Sequence, residues 1–310
     1  MSGKAALWGR EPAAFRLEGK EDWSLICRKE LARQTWRLWQ QAQVAAGGSR
    51  DGIRDLRVAL HRIGLLLRTG GPWAWAGSPD ECLHTLREFA DLAAPIREWD
   101  VLTQRFAELL QHGHQPTPAG EALLAKMSSH REDLLARVLP DLQSARFRKL
   151  VVDLLCQAEA GSGRKTLPAA AKAARLLRKL AKKTAKKSAR PITGMAPREL
   201  HHLRIACGRL RDACEFYAPL FSKKIKKSSR AWKEMQDRLG ACQDGVSHIA
   251  LLENLVATAD RFQTNVEEGL LVMVMIRHLQ EGVRLGRLDC ERRRARFLRR
   301  LQRFRRSLAK

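Results

Sequence analysis

Apolar residues recur at three- and four-residue spacing along most of the chain, and a chain that does this must fold into helices that bury one stripe. Leu31, Leu38 and Val44 belong to one such stretch; Leu56, Leu60, Ile63 and Leu67 to a second; Leu83, Leu86, Phe89, Ala90 and Ala93 to a third. Leu134, Leu135, Val138 and Leu142 form a fourth, and Leu203, Leu210, Ala213, Phe216 and Tyr217 repeat the style later. Strand signals are nearly absent: there is 1 Tyr, and alternating β-branched runs are few. Gly, Pro and Ser punctuate the pattern at residues 47–52, 69–73, 112–120, 159–163 and 190–197. With 45% hydrophobic residues, the material for a packed core is ample, so the reading is an all-α protein of helical bundles.

Residues 53–68 (IRDLRVALHRIGLLLR) align with residues 200–215 (LHHLRIACGRLRDACE). Leu56 and Arg57 fall on Leu203 and Arg204, Val58 and Ala59 on Ile205 and Ala206, and Arg62 on Arg209. Residues 93–101 (AAPIREWDV) align with residues 239–247 (LGACQDGVS) at almost the same offset. Two matches at nearly one offset indicate a tandem duplication. The expected organisation is an N-terminal extension over 1–20, a first half over 21–160 and a second half over 161–310.

The charge balance directs attention to one face of the repeated helix. Lys and Arg number 58 against 33 Asp and Glu, a formal +25, and such an excess attracts polyanions. In the second half, His201, Arg204, Gly208 and Arg211 fall along one helical stripe with Arg209 a quarter turn away; Leu203, Ala206, Leu210 and Ala213 oppose them. In the first half the stripe reads Arg54, Arg57, His61 and Arg68, with Arg62 beside it. Guanidinium forks match phosphate oxygens bidentately, and a His gains charge beside phosphate. Few carboxylates are expected on this stripe, and Gly64 and Gly208 are expected to leave room for close approach. A solvated basic face is the bland alternative; the occurrence of the stripe in both halves favours an anion site over it.

These segments resemble the signature of the CHAD domain, the conserved histidine α-helical domain, which runs His-x-x-Arg followed by a basic pair. Residues 93–102 and 239–255 resemble the family's next motif, Gly-x-x-Arg-Asp-x-Asp-Val. The resemblance implies two helical halves related by pseudo-symmetry, packed around a shared basic groove or channel that binds inorganic polyphosphate without catalysis. It also implies that some members sit on polyphosphate or polyhydroxyalkanoate granules. This chain departs from the signature: Arg54 stands for its first His, and Gly208 stands where a basic residue is expected. Arg97-Glu98 and Gln243-Asp244 stand for the later Arg-Asp. Arg97 joins the expected ligand set.

A further cationic face runs through AKAARLLRKLAKKTAKK, where Lys172, Arg175, Lys179, Lys182 and Lys186 align. Lys223, Lys224, Lys226 and Lys227 cluster after the signature helix, and residues 291–310 interleave Arg with Phe297, Leu298, Leu301, Phe304 and Leu308, expected to seal the second bundle. The 7 Cys form no CxxC pair, so buried thiols are expected rather than a metal or disulfide framework. His112 and His114 read as plain loop residues, His248 and His278 as single satisfied side chains. Among the tryptophans, Trp8 included, Trp36 and Trp39 read as packing rather than base-stacking residues. Phosphate-binding loops, nucleophile elbows and zinc-protease motifs are absent, which disfavours an enzyme and calls for no cofactor. The first residues lack a secretory hydrophobic stretch, and the longest apolar run, Leu270 to Ile276, is far shorter than the roughly 20 residues of a membrane span. The expected partner is therefore polyphosphate, the expected place the cytoplasm, and nucleic acid or an adaptor role the alternative.

Overall fold

The computed structural model describes residues 22–113, 117–160, 168–221, 223–257 and 264–308. Of residues 112, 113, 223, 224, 226, 227, 256 and 257 it describes the backbone alone. The extension over 1–20, Trp8, the side chains of His112 and His114, and the cluster of Lys223, Lys224, Lys226 and Lys227 therefore lie outside the described residues. The described elements are helices: α1 (Trp23–Ala46), α2 (Arg50–Gly70), α3 (Asp80–Leu92), α4 (Ala94–Gly113), α5 (Pro118–Leu142), α6 (Ala145–Glu159), α7 (Ala169–Lys187), α8 (Pro197–Tyr217), α9 (Lys223–Ala257) and α10 (Val266–Ser307). One antiparallel bridge joins Asp22 to Pro168. No described helix is long and apolar enough to cross a membrane.

Local chemistry sets the helix ends. Asp22 accepts a hydrogen bond from the Ser24 N–H, Ser49 from Gly52 and Ser144 from Phe147, each satisfying a donor that a helix start leaves over. Gly48 turns the chain between α1 and α2 at φ +83°, a conformation that favours glycine. Gly52 lies against the end of α1, where an added Cβ would sit 2.6 Å from the Ala45 nitrogen. Pro197 opens α8, as expected of a residue without an N–H. At the start of α10, Asn265 and Glu268 exchange side-chain and backbone hydrogen bonds of 2.9 and 3.1 Å, and the buried Glu268 also holds Lys126 at 2.7 Å.

The chain forms two compact units built from interleaved segments. Unit 1 takes the chain up to Arg97, Leu134–Leu176 and Glu215–Ile225; unit 2 takes Glu98–Asp133, Leu177–Cys214 and the chain from Lys226 onward. In unit 1, α1 packs on α2 and α6, and α3 on α2 and α6. Trp23 is fully buried, stacks on Tyr217 at 4.9 Å and donates from its Nε1 to the Gly70 carbonyl at 2.9 Å. Phe89 meets Phe147 edge-on at 5.0 Å. In unit 2, the buried Trp232 of α9 meets Phe297 and Phe304 of α10, each at 5.5 Å. Leu301 and Leu308 are buried beside them, so the apolar stripe of the C-terminal helix does seal this bundle.

Unit 2 also holds an ion pair that the sequence does not announce. Arg131 of α5 donates from Nε to Asp100 of α4 at 3.0 Å, with side chains 3% and 0% exposed. The sequence reading needs correcting at Val44, which is exposed; Trp36 and Trp39, read as packing residues, are half-buried. All cysteines but Cys156 are buried.

Candidate functional site

The two segments that align in sequence lie on α2 and α8, and the core positions assigned to them are buried: Leu56, Leu60, Ile63 and Leu67 on α2, and Leu203, Ala206, Leu210 and Ala213 on α8. Burying that face leaves the cations on the opposite one. On α2, Arg57 and Arg62 are half-buried, while Arg54, His61 and Arg68 are exposed. On α8, His201, Arg204, Arg209 and Arg211 are all half-buried. Arg97 is half-buried in the first turn of α4.

Carboxylates are more frequent on this surface than the sequence suggested. Arg54 pairs with Asp51 at 2.8 Å and with Asp55 at 2.9 Å, and the Asp55 hydrogen bond raises its pKa. Arg62 donates to Glu215 at 2.6 Å and lies over the Phe216 ring, its guanidinium carbon 4.8 Å from the ring centre. Arg211 donates to its own neighbour Asp212 at 2.7 Å. The sequence reading missed these partners because Glu215 is distant in sequence from Arg62. Asp51, Asp55 and Asp212 were in plain view as neighbours, and only the side-chain directions bring them to the arginines.

Arg204 and Arg209 make no ion pair with a described residue. The Arg204 side chain crosses Gly240 of α9, where an added Cβ would lie 3.4 Å from its Nε. Gly240 begins the second repeated motif, so within unit 2 the two motifs meet at this arginine. His201 stands one turn before it, with its ring centre 6.2 Å from that of His202. Burial, with Arg204 and His202 nearby, holds the His201 imidazole below its ordinary value. The two glycines expected to admit a ligand are covered by side chains: an added Cβ at Gly208 would meet Gln236 at 3.2 Å, and one at Gly64 would meet Arg68 at 3.2 Å.

The cationic face of α7 divides between the units. Lys172 is half-buried and Arg175 exposed in unit 1, while Lys179 and Lys182 are exposed in unit 2. In unit 2 these two lysines line an open cleft of about 630 Å³ together with Arg178, Gln302, Arg305 and Arg306. Sequence reading found the α7 half of this cleft and missed the α10 half, because nothing in spacing tells which helix end will lie beside α7. Among the described residues no group of three or more His, Cys, Asp or Glu side chains converges as a metal site would require.

Glu215 restrains one of the signature cations, and its removal should show this. Glu215→Gln is expected to tighten polyanion binding by about two- to fivefold, the scale of one partly exposed ion pair. Equal or weaker binding of this variant in a calorimetric titration would show that Arg62 is not held back.

The fold has counterparts among known proteins. The crystal structure of the CHAD domain from the plant Ricinus communis superposes with a TM-score of 0.71 at 21% identity, covering 90% of this chain and 96% of that one. PptA from Streptomyces chartreusis superposes with a TM-score of 0.62 at 15% identity, covering 89% of this chain and 99% of that one. No curated protein sequence matches the chain significantly. The model of the CHAD domain matches residues 30–253, which include α2, α8 and the aligned segments 93–101 and 239–247. The chain therefore belongs to the CHAD domain family.

Proposed function

We propose that this protein binds inorganic polyphosphate through the cations of its duplicated helices, without catalysing a reaction on it. The family is one known to bind polyphosphate. The observation that carries the reading is the equivalence of Arg57 and Arg204. They occupy the same place in the two copies of the motif, each half-buried above a buried apolar stripe. A half-buried guanidinium is preorganised, loses little freedom on binding, and donates in a fork that fits phosphate oxygens. Arg209, Arg97, Lys172 and Arg175 add charge on the same two units. A long polymer needs no single deep pocket, since a second contact made by an already bound chain is intramolecular and adds avidity. Residence in the cytoplasm, on polyphosphate or polyhydroxyalkanoate granules, belongs to this reading.

The test is a titration of long-chain polyphosphate at several salt concentrations, with duplex DNA as competitor. Each cation that contacts the polymer releases counterions, so the logarithm of the affinity should fall steeply and linearly with that of the salt concentration. Duplex DNA at equal phosphate concentration should leave most of the polyphosphate bound. Displacement by DNA at comparable concentration would replace this reading with a nucleic-acid one.

Protons should report the role of His201. Its depressed pKa leaves the imidazole neutral at pH 7 in the free protein. Phosphate beside it favours the charged form, so binding should take up a proton and tighten as pH falls below about 7. Calorimetry in two buffers of different ionisation enthalpy measures this uptake. His201→Asn should lose it, and an uptake unchanged in that variant would remove His201 from the site.

A further inference from the structure

The cleft between α7 and the end of α10 has a composition that packing alone does not require. Five of its six lining side chains are cations, Arg178, Lys179, Lys182, Arg305 and Arg306, and the sixth is the amide Gln302. Residues 160–198 and 292–310 contain no Asp or Glu, so neither strand of sequence supplies a local counter-charge. None of the five cations forms an ion pair with a described residue. Other arginines of α10 behave differently: Arg284 is held by Glu281, Arg293 by Asp289 and Glu234, and Arg294 by Glu291. The negative end of the α10 dipole accounts for Arg305 and Arg306 in its last turn. It does not account for Arg178, Lys179 and Lys182, which lie in the middle of α7.

The seam beneath is fixed. Leu177 and Ala181 on α7 and Leu301 and Phe304 on α10 are buried, and the cations are the neighbours of these residues in sequence. Phe304 is anchored on Trp232. Cations held at the rim of a cleft focus a positive field into it, and a compact anion gains most from that field.

We infer that this cleft, which no residue of the signature helices lines, is a binding site for a short linear oligophosphate of about three phosphates. The inference shares its ligand chemistry with the polyphosphate reading but does not need Arg57 or Arg204. A volume of 630 Å³ lies within the range of about 300–1,000 Å³ that small-molecule sites occupy. A linear triphosphate carries roughly four to five negative charges near neutral pH, which the five cations match. Gln302 can donate its amide N–H groups to a phosphate oxygen. No aromatic side chain lines the cleft, so it offers no stacking platform for a base, which favours bare phosphate over nucleic acid. Arg305 and Arg306 lie beyond residues 30–253 matched by the family model, so this half of the site belongs to the C-terminal helix of this chain.

Titration of the full chain with tripolyphosphate in metal-free buffer tests the proposal. Arg305→Gln with Arg306→Gln is expected to weaken tripolyphosphate binding at least tenfold, and Lys179→Gln with Lys182→Gln to do the same from the α7 side. Arg87→Gln with Arg137→Gln, which removes two exposed cations outside both sites, should stay within about twofold of the parent. Thermal unfolding of each variant confirms that it is folded. Absence of tripolyphosphate binding, binding unaffected by both cleft variants, an equal loss in the Arg87 and Arg137 variant, or displacement by duplex DNA at equal phosphate concentration overturns it. Long-chain polyphosphate titrated into the same variants separates the two readings. Long polymer that binds the parent chain while tripolyphosphate does not leaves the signature-helix reading standing and removes only this one.

Discussion

Arg131→Met is expected to lower stability in urea unfolding by about 3–5 kcal/mol, the cost of removing one partner of a buried ion pair. The reason lies in what remains. Asp100 has a fully buried side chain, and Arg131 supplies it a hydrogen bond at 3.0 Å. Without the guanidinium, Asp100 must either stay charged in a poor solvent or take up a proton, and both cost free energy. Asp100→Asn added to Arg131→Met should recover part of the loss, since an amide in place of the carboxylate no longer buries a charge. A single variant within about 1 kcal/mol of the parent would show that solvent reaches this pair and screens it.

The second large effect concerns binding. Arg57→Ala with Arg204→Ala is expected to weaken long-chain polyphosphate binding about 100-fold at low salt, because a hydrogen bond to a charged group contributes roughly 1.5–3 kcal/mol. The slope of log affinity against log salt should fall by about two, one for each lost phosphate contact. Both side chains are half-buried on faces turned away from the core, so the unfolding transition should stay where it is. Comparing the single variants with the double one reads the coupling between them. If one polymer molecule engages both arginines, each single change should already remove much of the avidity. Binding of the double variant within twofold of the parent would remove these arginines from the site.

The helical architecture could be read before any coordinates, since a stripe such as Leu56, Leu60, Ile63 and Leu67 records where a helix turns its face inward. The same periodicity overreached at Val44, which falls off the stripe that buries Ala42 and Ala45 near the end of α1. The candidate site was legible in its residue types and less so in their partnerships. Arg54 and Arg204 look alike in a sequence, yet one stands between two aspartates and the other crosses a glycine. Arg62 is paired with a residue far along the chain, and Lys179 and Lys182 meet arginines from the last helix. Such meetings depend on which helix packs beside which, and no spacing rule carries that information. The Asp100 and Arg131 pair shows the same limit in the core. Asp100 lies inside a motif read for its ligand-facing residues, and its own work is to hold α5.

The interleaving of the two units bears on how the protein is made. Trp23 and Cys27 sit near the start of the chain, but the ring that closes over them belongs to Tyr217. During translation, the helix that carries them must therefore wait with an uncapped apolar surface until Tyr217, 190 residues beyond Cys27, has emerged. Neither unit can be excised by cutting at one point, because each borrows segments from both sides of the other. A nascent chain of this design would lean on chaperones, and fragments stopped before Tyr217 would be degraded rather than accumulate as a folded half.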